Sequence, residues 1–381
     1  MKEQSHLNYV DTVNFGSYYT PKHIVDLAYS LIKTHVNNIS EYKFIDTSCG
    51  YGSFLQFPGS IGADYDKTAI IEAKNSIKSC IFFCHNSLSN ISRTQYNLAN
   101  EDKVIIIGNP PYNDTTSIIR NKIKSNICDK DNDVKHRDMG VSFLLSYDKL
   151  KADYICVLHP LSYLIKKANF EGLGTFKNNY VLLDAVVISS AEFCAASKTT
   201  HFPIIVALYK RCCQGMKYDD IVKYKFKTND GKYFSINQFD KLNNYITKYP
   251  NHQYLSLNDS VAFFWTMRDI NALKRTRTFI ENEVYNSIRV PKSKLSLYCY
   301  ADVFKEYISH IPYYFGNSDI MIDMENFKKI EKLFIHKSLN KYNFLRHLLT
   351  DKERIPECDN MVIDQYFKNL LGEHYVDKKI G

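Results

Sequence analysis

The chain has 381 residues and a formal net charge of +8 at pH 7, long enough for two domains with proper cores and basic enough to suit a polyanionic partner. Ten cysteines occur without a C-x-x-C or other metal-ligand spacing, which argues against a resident metal. With no signal peptide and no long apolar span, the composition reads as a reduced cytoplasmic protein with no membrane partner.

In chain order, the first patterned stretch is Tyr19-Thr20-Pro21, followed by Ile24, Val25, Leu27, Ala28, Leu31 and Ile32 at helical spacing. Thr20 reads as a helix N-cap with proline at the first helical position. The same hydroxyl is also compatible with facing a ligand carboxylate. Lys43-Phe44-Ile45-Asp46 is a short buried strand that runs into a turn containing Gly50 and Gly52. Glycines there let a ligand approach the backbone, and Asp46 sits at the carboxyl end of its strand, where α/β sheets bind ligands. Cys49 lies in this turn, where packing is its expected role.

Ile61-Gly62-Ala63-Asp64 is a second strand, ending in a carboxylate 18 positions after Asp46. That distance suits an acid holding a ribose hydroxyl pair, and the competing role is a helix N-cap. We assign the ribose to Asp64 and the cap to Asp66. A third strand, Ile81 to Cys84, leads to Asn86, for which an adenine-edge hydrogen bond and an ordinary turn role are both open.

A fourth strand, Val104 to Gly108, ends in Asn109-Pro110-Pro111-Tyr112. This tetrapeptide suits methyl transfer onto a planar NH2 group, whose lone pair is delocalised and must be drawn back onto nitrogen. The Asn109 side-chain oxygen and the Pro110 carbonyl are acceptors for its two hydrogens. Consecutive prolines fix φ and remove competing donors, while Tyr112 offers a flat face for stacking. The alternative is a strand followed by a proline-rich turn with Tyr112 as ordinary packing.

Taken together and in this order, these motifs resemble the gamma class of S-adenosylmethionine-dependent DNA adenine-N6 methyltransferases of restriction–modification systems. The resemblance covers about the first 210 residues. It implies S-adenosylmethionine as cofactor, double-stranded DNA with a flipped-out adenine as substrate, and a cognate restriction endonuclease as a possible partner. It further implies Tyr19 and Thr20 near the methionine carboxylate and Asp46 near its amino group, beside the Gly50–Gly52 turn. Asp64 would hold the ribose, Asn86 the adenine, and Asn109, Pro110, Pro111 and Tyr112 the target base. The later aromatic covering that base is assigned to Phe193, with Phe202 as its rival. Two positions depart from the family: Thr47 stands where proline is usual, and Asn86 where aspartate is common.

After Tyr112, residues 113 to 139 are polar and densely charged. A loop that closes over substrate or follows a phosphate backbone and a solvated loop are equally compatible. A helix over 140–151 and strands over 154–158, 181–188 and 204–210 complete a seven-stranded Rossmann-like α/β sheet, the last two forming an antiparallel pair. The expected division is a catalytic domain over 1–212 and a mixed α+β target recognition domain over 213–381. In the latter, Lys274-Arg275-Thr276-Arg277 and the run Arg289 to Lys294 are the densest basic clusters, and Trp265 is expected in the core. Competing activities are RNA base or protein-glutamine methylation, cytosine-N4 methylation, and DNA binding by an inactive methyltransferase fold. The glutamine enzymes carry a helical domain ahead of the first cofactor motif, and only 45 residues precede Asp46. Cytosine-N4 chemistry more often has serine in place of Asn109.

Overall fold

The computed structural model describes residues 20–112, 129–193, 201–349 and 357–377. Tyr19 and residues 113–128 of the charged loop lie outside the described residues. The chain divides into two compact units, Met1–Ser235 and Ile236–Gly381.

The first unit is built on strands β1 (Tyr42–Asp46), β2 (Ile61–Asp64), β3 (Ile81–Cys84), β4 (Lys103–Gly108), β5 (Tyr154–Pro160), β6 (Tyr180–Ser189), β7 (Pro203–Arg211), β8 (Phe226–Thr228) and β9 (Tyr233–Phe234). They form one sheet of order β3-β2-β1-β4-β5-β7-β6-β8-β9. Neighbours from β3 across to β5 are parallel, and β7 runs antiparallel to both β5 and β6. The expected seven-stranded α/β core with its antiparallel closing pair is therefore present. The hairpin β8–β9 extends it, with β8 parallel to β6. For that reason the boundary lies at Ser235, not at 212–213 as expected: the weak strands beyond Arg211 belong to the first sheet.

Val104 to Ile107 of β4 are completely buried, as a parallel strand covered on both faces must be. Helix α1 (Lys22–His35) covers one face, packing Ile24, Val25, Ala28 and Ile32 against Ile105, Ile107, Cys156, Val206 and Leu208. Its start differs from expectation. Pro21 occupies the N-cap position, where its side chain makes no capping hydrogen bond, and the Pro21 carbonyl accepts from Ile24 N and Val25 N. Thr20 is thus left one residue outside the helix, with its hydroxyl available elsewhere. Helix α2 (Lys67–Ser76) is capped by Asp66, which accepts from Thr68 N and Ala69 N. Helix α3 (Met139–Lys149) is capped by Asp138.

In the second unit, β10 (Asp240–Lys241) pairs with β14 (Met321–Ile322), and β11 (Ser260–Trp265) lies between β12 (Phe279–Ile280) and β13 (Ser287–Pro291). Trp265 is half-buried on β11 rather than a core residue. Its strand has solvent on part of one face, whereas the alternate residues Ala262 and Phe264 point into the core. The main helices are α4 (Leu295–Tyr307), α5 (Glu331–Leu339) and α6 (Glu357–Leu371). Fully buried Tyr300 of α4 meets Phe304, Phe327, Phe334, Tyr366 and Phe367 at ring-centroid distances of 5.1–6.0 Å, so the abundant aromatics of this region make a core. Among the described residues no helix is long and apolar enough to cross a membrane.

Candidate functional site

The strand order reverses between β1 and β4, which opens a crevice at the carboxyl ends of the parallel strands. Asp46, Asp64 and Asn109 all lie at that edge, and register accounts for it: Ile45 pairs with Ile106 on one side and Asp46 with Gly62 on the other.

Between β1 and β2 the glycine turn is held by its own backbone and by Asp64. Cys49 N donates to Ala63 O at 2.9 Å, and Gly52 N to Cys49 O at 2.7 Å. Gly50 and Gly52 take φ values of +51° and +82°, the left-handed region that favours glycine. Half-buried Asp64 accepts from Gly50 N at 2.8 Å and from Asp66 N at 2.9 Å. It therefore clamps the turn as well as facing the crevice, and burial pushes its carboxyl up. Cys49 packs with Leu55, Ile70, Ala73 and Phe82, the role expected of it.

Asp46 is only 2% exposed, and among the described residues its hydrogen bond is from Ser48 N at 3.1 Å. Burial pushes its carboxyl up to about 8. An ionised carboxylate there lacks the partners that a buried charge needs. A Cβ at Gly108 would stand 2.6 Å from Asp46 Oδ1, so the glycine ending β4 is required for the two strand ends to lie side by side.

Asn109 follows that glycine. Its Nδ2 donates to Thr20 Oγ1 at 3.1 Å, while its Oδ1 is buried without a hydrogen-bond partner among the described residues. Buried acceptors are rarely left unmatched, and this one has the chemistry to take a ligand N–H. The hydroxyl misassigned to a helix cap is thus the group that holds the Asn109 amide. Tyr112 is half-buried against the α1 side of the core. A Cβ on Gly140 would lie 3.0 Å from Tyr112 Cβ and 2.6 Å from the Tyr163 hydroxyl, and that hydroxyl donates to Asp138 Oδ1. Asp138, Gly140 and Tyr163 thus form a wall behind Tyr112 that sequence reasoning missed. The one available signal was an aspartate preceding Met139-Gly140 at a helix start.

The remaining expected residues are placed less openly. Asn86 Oδ1 accepts from Leu88 N at 3.0 Å and its Nδ2 donates to Asp129 O at 2.6 Å, so here it makes a turn. Phe193, 4% exposed, packs in the same cluster as Ile188 and Ile204, and Phe202 and Tyr112 lie half-buried against that cluster. Ser190 N donates to Phe202 O and Phe202 N donates to Ser190 Oγ, which brings both rival aromatics to the side of the core that carries Tyr112. Thr47 is buried, with its hydroxyl 3.4 Å from the Tyr147 hydroxyl and its carbonyl accepting from Ser87 Oγ at 2.7 Å.

The crevice is rich in acceptors (two carboxyls and an unmatched amide oxygen), which fits a ligand bearing ammonium, hydroxyl and amino donors. Among the described residues no group of three His, Cys, Asp or Glu is arranged to hold a metal.

No protein-family model and no curated protein matches the chain. Solved structures of similar fold include a type I restriction–modification system methyltransferase subunit from Streptococcus thermophilus, 17% identical with a TM-score of 0.38 over 51% of this chain and 45% of that one. A cryo-EM DrdV–DNA complex is 15% identical with a TM-score of 0.40, over 65% of this chain and 33% of that one. A SAM-dependent methyltransferase from Anabaena variabilis is 13% identical with a TM-score of 0.33, over 54% and 92%. This chain spans less than half the length of the first two. These are likenesses of fold alone.

Proposed function

We propose that the protein is a site-specific DNA methyltransferase that transfers a methyl group from S-adenosylmethionine to the N6 nitrogen of a flipped-out adenine. The observation that carries this reading is the buried, unpartnered Asn109 Oδ1 beside the glycine turn and the two carboxyls. The cofactor fits the crevice. The left-handed conformations of Gly50 and Gly52 set the turn beside the carboxyls, Asp46 matches the methionine ammonium, and Asp64 matches the ribose hydroxyls. When bound, S-adenosylmethionine supplies an electrophilic methyl group.

The chain's residues supply position and polarity. Asn109 Oδ1 and the Pro110 carbonyl accept the two N–H bonds of the target amine, which returns lone-pair density to its nitrogen. Tyr112 stacks on the base, backed by Asp138, Gly140 and Tyr163, and one of Phe193 and Phe202 closes over it. No base is needed before transfer, because the proton leaves an already cationic amine. The second unit selects the DNA sequence. Incubation of the full chain with tritiated-methyl S-adenosylmethionine and DNA, RNA or protein tests this reading. We expect label in duplex DNA, recovered as N6-methyladenine. Label confined to RNA or protein would overturn it.

Thr20 has a separable role. Thr20→Val keeps the shape but removes the acceptor for Asn109 Nδ2, so turnover at saturating cofactor should fall by roughly three- to tenfold, the worth of one neutral hydrogen bond. Thr20→Ser should restore it. Equal turnover in the valine variant would mean that the Asn109 amide is oriented by other groups.

A further inference from the structure

Two tips of the second unit expose aromatic side chains almost completely: Tyr254 and Tyr285 are each 89% exposed, with Leu257 and Val284 beside them. Hydrogen bonds tie both tips to β13. Asn251 pairs with the outer edge of β13, donating to Arg289 O at 3.0 Å and accepting from Arg289 N at 2.9 Å. The Arg289 guanidinium then joins both tips, reaching His252 O and Leu255 O on one side and the Glu283 carboxylate on the other. Arg289, which opens one of the densest basic clusters of the sequence, is therefore committed to holding two tyrosine-bearing turns in place. Such exposure on a fixed frame marks a contact surface.

Register shows what surrounds it. Trp265 N donates to Thr278 O, and Thr266 N to Asn286 O, so Arg277 and Tyr285 flank the same end of β11, about 10 Å apart at two strand spacings. Arg268 follows β11 at that end. Arg268 and Arg277 are exposed and have no partner among the described residues, while Arg275 uses its Nε on Asn271 O. Exposed amides Gln253, Asn282 and Asn286 neighbour the tyrosines in sequence. Of the nearby acids, Glu283 is paired with Arg289 and Asp259 accepts from Ser256 Oγ, and Glu281 is exposed.

We propose that this end of the three-stranded sheet is a duplex-DNA contact surface. Tyr254 and Tyr285 meet bases alongside the amides, which match base edges, and Arg268, Arg275 and Arg277 meet phosphates. The unpaired arginines and bordering amides favour DNA over a protein partner. The proposal rests on the reading of the chain as a DNA methyltransferase.

The test is binding of the full chain to a fluorescein-labelled random-sequence duplex, followed by anisotropy against salt. Tyr254→Ala with Tyr285→Ala should weaken binding by at least roughly fivefold, with the salt slope unchanged. Phenylalanine at both positions should retain affinity. Glutamine at Arg268, Arg275 and Arg277 should instead flatten the slope of log K against log salt by about 0.9 for each phosphate no longer neutralised. Unchanged thermal unfolding and cofactor binding would show that the variants are folded. If wild type binds duplex and both variant sets bind equally well, this surface is wrong and the functional reading stands. If wild type binds RNA or a protein and no duplex, the functional reading itself fails.

Discussion

Asn109→Ala is expected to lower methyl transfer by roughly 10²–10³-fold or more, the scale of removing one preorganised polar group from a reacting centre. Cofactor affinity should be largely spared, because the unpartnered Oδ1 is assigned to the substrate amine alone. Asn109→Asp separates geometry from hydrogen bonding. It keeps an acceptor oxygen but loses the Nδ2 donor that Thr20 Oγ1 receives, so it should fall between alanine and wild type. Single-turnover measurements with tritiated methyl at saturating cofactor read the chemical step. Near wild-type turnover in the alanine variant would sink the mechanism.

Asp46→Asn is expected to stabilise the free protein at alkaline pH and at the same time to weaken S-adenosylmethionine binding. The sign follows from burial. With its carboxyl pushed up to about 8, Asp46 of the folded chain keeps a proton that the unfolded chain, near 3.9, has released. Below about pH 4 both states hold the proton and Asp46 has no effect on the pH dependence. Between about 4 and 8 the folded state binds more protons, so stability falls as pH rises, and above about 8 the full cost of the buried charge is present. At about 1.4 kcal/mol per tenfold change in proton affinity, that cost is of order several kcal/mol. Asparagine carries no charge and still accepts from Ser48 N, so unfolding midpoints of the variant should decline less between about pH 4 and 8 than those of wild type. A bound ammonium would favour the carboxylate, and cofactor binding near pH 7 should then release a proton. Calorimetry in buffers of different ionisation enthalpy detects that release. No proton release together with unchanged affinity in Asp46→Asn would remove Asp46 from the cofactor site.

The α/β core was legible because its signals are local. Runs such as Val104 to Ile107 and Ile61 to Ala63 are continuously apolar, glycines mark the turn at 50–52, and the apolar spacing of α1 repeats with the helix. Parallel strands buried on both faces leave that record whatever packs against them. Asp66 as a cap was readable for the same reason, since its partners lie two and three residues away. The hairpin β8–β9 and the boundary at Ser235 were not readable. Strands of three and two residues carry no periodicity, and their place is set by pairing with β6, some 40 positions earlier in the chain.

Charge patterns did not distinguish the cations of the second unit, because a cation's role depends on what folds against it. Arg289 looked like its neighbours Lys292 and Lys294, yet it is engaged by Glu283 and by carbonyls more than 30 positions away, while Arg268 stood in no cluster at all. At the crevice, composition and order were enough to nominate Asp46, Asp64, Thr20 and Asn109. Only the tertiary structure decided that Thr20 receives the Asn109 amide across 89 positions, that Gly108 must be glycine because Asp46 lies against it, and that the Asn86 amide donates to Asp129 O, 43 positions away. Those outcomes depend on which strand ends lie side by side at the reversal of the sheet, and contacts between residues so far apart in sequence leave no periodic trace along the chain.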